Sequence, residues 1–397
     1  MRNAVIVINS GSTSLKFALY AITGNDLEVV GNGSYTGMPQ NTHIKIKNAT
    51  ATILEEKDFP DENINHEKAL ALLIPKLEEL FPDIQVKYAG HRVVSGGERF
   101  MQPVKLDNEV IDYLEQLSKI EPTHQHFEVM GAKALAKVFP DIIQTASFDT
   151  SFHRTMPKVA EFYAVPDEIT NHGVRHWGFH GISYAYISTQ LVKLVPEAKR
   201  TIVAHLGGGA SLCAMLDNKS IDTSMQFGAI TGLTMATRSG DFPADAVFYL
   251  LKQGIYTPVE LETILSKKSG LLALSGNLSE SMQIIEKNNS EAAIYAREKF
   301  DYMLLKHIGA YTAILGGLDT LIFTAGIGEN DARLRKRICD QLAWLGVKLD
   351  DSANTYAVGG TEAVKISNND SKITVYVIPT NEELMIARST LEIVNNS

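Results

Sequence analysis

Apolar and polar positions alternate along this chain in blocks of two kinds. Residues 4–8 and 15–20 are short, nearly continuous apolar runs on either side of Asn9-Ser-Gly-Ser-Thr-Ser, which predicts two strands joined by a polar turn. Residues 35–54 carry alternating apolar positions and predict further hairpin strands. Over residues 66–81 the apolar positions (Ala69, Leu70, Leu72, Leu73, Ile74, Leu77, Leu80) shift to helical spacing, and the run stops at Pro82. Strands are predicted again at 86–94 and 142–148, with helices at 107–118 and 128–138 between them. A broadly similar series follows, with strands at 201–204, 211–216, 321–324 and 373–378 and helices at 244–253, 258–265, 290–315 and 331–345. Strands and helices alternating in this way predict an α/β chain.

The two strand–turn–strand segments echo each other. Val5-Ile-Val-Ile-Asn-Ser-Gly-Ser-Thr-Ser-Leu and Ile202-Val-Ala-His-Leu-Gly-Gly-Gly-Ala-Ser-Leu share a plan more than an identity. Two copies far apart predict two related αβ halves, with both turns facing a cleft. The length of 397 residues suits two or three domains, and a hydrophobic share of 45% suits a real core. A net charge of -9 disfavours a nucleic-acid binder. No apolar stretch approaches the roughly 20 residues of a membrane span, and the first apolar run is too short for a signal peptide. A cytoplasmic protein is expected. Cys213 and Cys339 cannot form a disulfide framework and are expected as reduced, half-buried thiols.

Candidate chemistry gathers at the turns. In Asn9-Ser10-Gly11-Ser12-Thr13-Ser14, small residues let backbone N–H groups approach an anion, and Lys16 adds a point charge. The bland alternative is an ordinary polar hairpin loop. His205-Leu-Gly-Gly-Gly is a second turn, either a special backbone shape for a ligand or a plain bulge. Phe323-Thr-Ala-Gly-Ile-Gly-Glu-Asn is a third, expected as a glycine loop leading into a helix at Asp331. No Walker motif occurs. Arg92 ends a strand and Arg238 lies among small residues; a guanidinium matches a carboxylate or phosphate, though surface ion pairing is the common alternative. His180 stands between glycines, Asp149 follows a strand, and Glu382 and Glu383 follow the last strand. A packed histidine, an Asx-turn and a helix N-terminal charge are the respective structural readings.

At these residues the sequence resembles the acetate kinase family. The likeness rests on Val7-Ile-Asn-Ser-Gly-Ser-Thr-Ser-Leu-Lys-Phe, Gly90-His-Arg-Val-Val, Phe148-Asp-Thr, Gly178-Phe-His-Gly, Thr237-Arg-Ser-Gly-Asp, Gly316-Gly-Leu-Asp, Phe323-Thr-Ala-Gly-Ile-Gly-Glu-Asn and Pro379-Thr-Asn-Glu-Glu-Leu, in order over almost the whole chain. The resemblance implies the actin/hexokinase/Hsp70-like fold: two ribonuclease-H-like domains, 1–150 completed by 383–397, and 151–382, around a nucleotide cleft. It implies a homodimer and reversible, direct in-line phosphoryl transfer from ATP to acetate. By motif, Asn9 and Glu382 would serve Mg²⁺. Ser12, Lys16, the turn of His205, Leu206, Gly207, Gly208 and Gly209, and the segment Gly326, Ile327, Gly328, Glu329 and Asn330 would serve ATP. Arg92 would hold the carboxylate, with Val94, His124 and Phe179 around it. Asp149, His180 and Arg238 would be the catalytic set, with Asp149 positioning or serving a metal-bound water rather than acting as a base.

Some positions depart from the family pattern. Gly208 stands where an asparagine is usual, Thr123 where the acyl pocket is usually apolar, and Ala229 where a proline is common. Leu278-Ser-Glu-Ser-Met282 lacks the arginine usual on the adenosine side. Propionate, butyrate or a hydroxy acid therefore stands beside acetate as substrate. A non-catalytic actin-like nucleotide switch is the alternative of another class.

Overall fold

The structure, a computed structural model, describes residues 1–118 and 124–396. Thr123 lies outside the described residues. The chain forms two compact units, Met1–Phe152 with Asn381–Ser397, and His153–Thr380.

The first unit is built on an eight-stranded mixed sheet. Its strands are β1 (Arg2–Ser10), β2 (Ser14–Thr23), β3 (Asp26–Thr36), β4 (Thr42–Asn48), β5 (Ile53–Phe59), β6 (Ile84–Val93), β7 (Val104–Lys105) and β8 (Ile143–Phe148), in the order β5-β4-β3-β2-β1-β6-β8-β7. β1 to β5 form an antiparallel meander, while β1, β6 and β8 run parallel. β1 has apolar residues on both faces (Ala4, Ile6 and Ile8; Val5 and Val7), and all five are buried, as a central strand requires. The helix Glu382–Asn395 returns the end of the chain to β1, β6 and β8. Gly90 permits this: a Cβ there would stand 2.5 Å from Thr390 Oγ1 and 2.6 Å from an Ile386 methyl. The close approach sets the helix N-terminus, with Glu382, beside Arg92 two residues along β6.

The second unit carries a six-stranded mixed sheet: β9 (Arg200–Leu206), β10 (Ala210–Leu216), β11 (Lys219–Thr223), β12 (Thr320–Thr324), β13 (Val364–Lys365) and β14 (Thr374–Val377), ordered β11-β10-β9-β12-β14-β13. The echo is now topological. β3-β2-β1-β6-β8 and β11-β10-β9-β12-β14 share the same pairings, two antiparallel then two parallel. The helix Glu291–Leu315, capped by Ser290 on the Ala293 N–H, packs on β9 and β10.

Four sequence expectations need correction. Residues 326–330 are not an open loop: Ala325–Asn330 is a short helix. It winds because Glu329 folds back to accept from the Ala325 N–H at 2.7 Å, while the buried Arg335 donates to the Gly328 and Glu329 carbonyls at 2.8 Å each. Residues 331–345 are divided. Asp331 caps the helix Ala332–Gln341, and Ala343–Leu345 is a 3₁₀ turn. The helices Gly181–Leu194 and Glu382–Asn395 have no counterpart among the expected elements. Cys213 and Cys339 are fully buried rather than half-buried, and burial raises both thiols, Cys339 to about 12, so neither is a reactive thiolate.

Candidate active site

In the first unit, β1 and β2 hold Asn9 opposite Lys16 in the hairpin register. The turn between them closes through Gly11 N–H to the Ser14 carbonyl at 2.8 Å and leaves Ser12 exposed. His66, missed at the sequence level, donates from Nε2 to the Gly11 carbonyl at 2.9 Å. Burial lowers its pKa against the opposing effect of that carbonyl, so the ring braces the turn as a neutral donor.

Arg92, at the end of β6, forms a two-pronged pair with Asp149 just past β8. Nε donates to Oδ1 at 3.2 Å and an NH2 proton to Oδ2 at 2.7 Å. Its remaining terminal nitrogen lies 3.5 Å from Glu382 Oε2. Burial alone would lower the Arg92 pKa; Asp149, Glu382 and Glu128 together hold it well above its ordinary value. Burial raises the Glu382 carboxyl to about 7, with Arg92 opposing and Asp149 and Glu383 reinforcing. One guanidinium thus stands among three carboxylates.

The segment after β6 is held from the helix Gln125–Val138, which His124 heads. Glu128 accepts from Val94 N–H at 2.8 Å, and Gln125 takes both backbone groups of Ser95, each at 3.0 Å. Gln125 and Glu128 are buried polar residues that sequence reasoning passed over, although buried polar groups on an apolar helix face are a usable signal once the helix is placed.

In the second unit, His180 adopts a left-handed backbone (φ 59°, ψ 21°) at the head of Gly181–Leu194. Its neighbour Gly178 has φ +76° and lies against His153, whose Nε2 donates to the Phe179 carbonyl at 2.9 Å. Burial pushes His153 down to about 3, so it is a neutral strut for the Gly178–His180 backbone. A Cβ at Gly178 would stand 2.5 Å from the His153 ring. Gly178→Ala is therefore expected to cost about 1–2 kcal/mol in backbone strain before any clash. A lower melting temperature with a reduced kcat checks this.

The glycine turn joins β9 to β10, where Gly207 N–H reaches the Gly209 carbonyl at 3.0 Å. The Gly208 carbonyl accepts from Ala236 N–H at 3.1 Å, tying the turn to the Arg238 segment. A Cβ at Gly209 would lie 3.2 Å from His180 Nε2 and 3.6 Å from an Arg238 terminal nitrogen, so the structure brings these three together. Arg238 is itself aimed by the Ala229 carbonyl at 3.0 Å. Ala229, where the family pattern commonly has a proline, is thus the backbone anchor of the arginine.

Beside the turn is a cavity of ≈ 360 Å³ lined in part by Gly207, Gly208, Met282, Gly326, Ile327 and Asn330, within the roughly 300–1,000 Å³ usual for small-ligand sites. Four of the residues expected to serve ATP face inward or brace the site. Leu206 is buried, Gly328 packs on β9 and β12, Glu329 accepts from the Ala325 and Thr380 N–H groups, and Asn330 bonds to Gly326 and Gly359.

Residues 4–388 match the model of the acetokinase family. The chain belongs to the acetokinase family. It is 42% identical to an acetate kinase of Rhodopseudomonas palustris (strain TIE-1), covering 98% of both chains. Among solved structures it resembles an acetate kinase from Porphyromonas gingivalis, with a TM-score of 0.88, 34% identity, and coverage of 99% of this chain and 100% of that one. It is equally like a propionate kinase from Francisella tularensis: TM-score 0.89, 33% identity, 98% of this chain and 99% of the other. The two mixed sheets with their helices accord with the actin/hexokinase-like α/β plan of the family. No described helix is long and apolar enough to cross a membrane.

Proposed function

We propose that this chain transfers the γ-phosphoryl group of ATP reversibly to a short-chain carboxylate, acetate or propionate, by direct in-line displacement. The observation that carries the reading is the Arg92–Asp149–Glu382 constellation. An actin-like nucleotide switch has no use for a guanidinium fixed by two carboxylates.

A carboxylate is already ionised near neutral pH, so the reaction needs neutralisation rather than a base. Asp149 takes one edge of the Arg92 guanidinium and so orients the remaining N–H donors toward the substrate. Val94 and Phe179 are buried apolar residues suited to an acyl chain. His180 and Arg238 donate to the oxygens of the transferring group, the largest single contribution expected in such chemistry. The glycine turn and the cavity lined by Met282 and Ile327 hold the nucleotide. The two units are assigned as an N-terminal domain of 1–150 with 383–397 and a nucleotide-binding domain of 151–382.

The carboxylate surplus around Arg92 and the hard oxygen donors Asn9 and Glu382 fit Mg²⁺, which takes one or two carboxylates plus substrate phosphates. When bound, the ion would supply charge neutralisation to the phosphates. Glu382 must be ionised to serve it, and its raised pKa makes a proton compete. Below about 7 the apparent Mg²⁺ affinity is expected to fall, by roughly tenfold per pH unit for one coupled proton. Above that pH it levels off. Kinetic titrations of Mg²⁺ between pH 5.5 and 8.5 check this, and Glu382→Gln should flatten the dependence while weakening binding.

Exposed aromatic residues on the second unit, among them Phe248, Tyr249, Tyr295 and Tyr302, support assembly as a homodimer. Buried, unpaired cysteines suit a cytoplasmic enzyme. The activity is tested by trapping acyl phosphate as hydroxamate from acetate, propionate, butyrate and glycolate. An added methylene shifts preference by only about 1–3 kcal/mol, so propionate within tenfold of acetate is the expected outcome for the Ala229 pocket. Acetate winning by a wide margin rejects an enlarged pocket. ATP binding with no acyl phosphate from any acid favours the switch.

A further inference from the structure

The mechanism above uses His180 and the His205 turn but leaves unexplained the buried hydroxyls behind them. His180 and His205 stack with ring centroids 4.1 Å apart and an 18° interplanar angle. Each turns Nδ1 onto a buried serine: His180 to Ser211 Oγ at 2.8 Å, and His205 to Ser183 Oγ at 2.9 Å. Each serine meets a second hydroxyl, Ser211 with Tyr184 Oη at 2.5 Å and Ser183 with Thr380 Oγ1 at 2.8 Å. Ser183 and Tyr184 are consecutive in the first turn of Gly181–Leu194, so one helical turn reaches both rings. Ser211 is the register partner of His205 across the β9–β10 hairpin.

We propose that these hydroxyl relays, Tyr184–Ser211–His180 and Thr380–Ser183–His205, lock the stacked imidazoles as neutral Nε2–H tautomers, making Ser211 and Ser183 positioning residues for the phosphoryl-binding histidines. Burial holds the Tyr184 phenol well above its ordinary pKa, so it keeps its proton, and in the relay that proton is directed to Ser211 Oγ 2.5 Å away. The Ser211 proton is then directed to His180 Nδ1, which must accept, leaving the ring's own proton on Nε2. Stacking opposes two imidazolium charges in contact. The Arg238 guanidinium, near the same Gly209 Cβ position as His180 Nε2, opposes a charge on His180 from the other side. The result is a fixed N–H donor aimed at the glycine turn that stays a donor across neutral pH. The catalytic consequence rests on the carboxylate-kinase reading, whereas the tautomers do not.

The test uses the full chain with ¹⁵N-labelled histidine and two-bond ¹H–¹⁵N correlation spectra from pH 6 to 8. Both His180 and His205 are expected as Nε2–H tautomers with no imidazolium. Ser211→Ala is expected to move His180 to a tautomer mixture or a titrating ring while His205 keeps its signature, and Ser211→Thr to restore the native state. In turnover, Ser211→Ala should lower kcat on the order of 10–100-fold, as for other groups that orient an imidazole, with both KM values nearly unchanged and recovery in Ser211→Thr. A native His180 found as Nδ1–H or imidazolium overturns the proposal without any variant. A His180 signature unmoved by Ser211→Ala overturns it as well. Absence of turnover in the native protein with the tautomers as expected rejects the kinase reading and leaves the relay standing.

Discussion

Arg92→Ala is expected to lose stability and activity together. The guanidinium is the shared partner of Asp149, whose side chain is 4% exposed, and Glu382, at 19%. Removing it leaves two carboxylates confronting each other with little water, and breaking such a buried pair costs about 3–5 kcal/mol. The same change removes the carboxylate clamp, so kcat/KM for the acid should fall by on the order of 10²–10³. Thermal melts and steady-state kinetics separate the two effects when Arg92→Ala is combined with Asp149→Ala. The double variant should regain part of the stability, because the Asp149 charge goes with its partner and only Glu382 is left without the guanidinium. It should regain none of the activity. Arg92→Lys should remain impaired, since an ammonium cannot pair with both Asp149 oxygens and still offer a flat face of donors. Full activity in Arg92→Lys would contradict the assigned geometry.

Arg238→Ala is expected to act on the chemical step. Its side chain is held by the Ala229 carbonyl and converges with His180 on the glycine turn. An interaction made chiefly in the transition state lowers kcat and kcat/KM alike. The expected loss is on the order of 10²–10³ in kcat, with the KM for the acid within a few-fold of native. Gly209→Ala provides a graded comparison. Its new Cβ would sit 3.2 Å from His180 Nε2, close enough to displace that donor by tenths of an ångström, and in ordinary contact, 3.6 Å, with Arg238. It should lower kcat less than Arg238→Ala does. A Gly209→Ala variant with native kcat would mean that the donors are not aimed at the glycine turn.

The strands were legible because burial on both faces leaves near-continuous apolar runs, as in β1, β9 and β12. Two helices were not. Gly181–Leu194 contains Ile182, Tyr184, Tyr186, Ile187, Thr189 and Val192, residues of strand preference, and His180 gives its N-terminus no side-chain cap. Packing onto the sheet overrides that preference. The start of Glu382–Asn395 did carry a signal: Asn381 accepts from the Leu384 N–H, with two acids in the first turn. Helix N-terminal charge is thus the structural reading of Glu382 and Glu383 that the helix bears out.

By itself the sequence determined the α/β class, the doubled strand–turn–strand plan and the residue types gathered at the turns, because these follow from local periodicity and small-residue turns. Tertiary structure alone decided the partnerships. Asp149 and Glu382 flank Arg92 although far apart in the chain, because the close approach at Gly90 seats the last helix on β6. Ser211 and Tyr184 stand behind His180 because a hairpin and a helix start converge there. Residues 325–330 are helical because the Glu329 carboxylate folds back onto the Ala325 N–H and the buried Arg335, from the next helix, takes the Gly328 and Glu329 carbonyls. Such contacts depend on which elements meet, and no local pattern of apolar and polar positions encodes that.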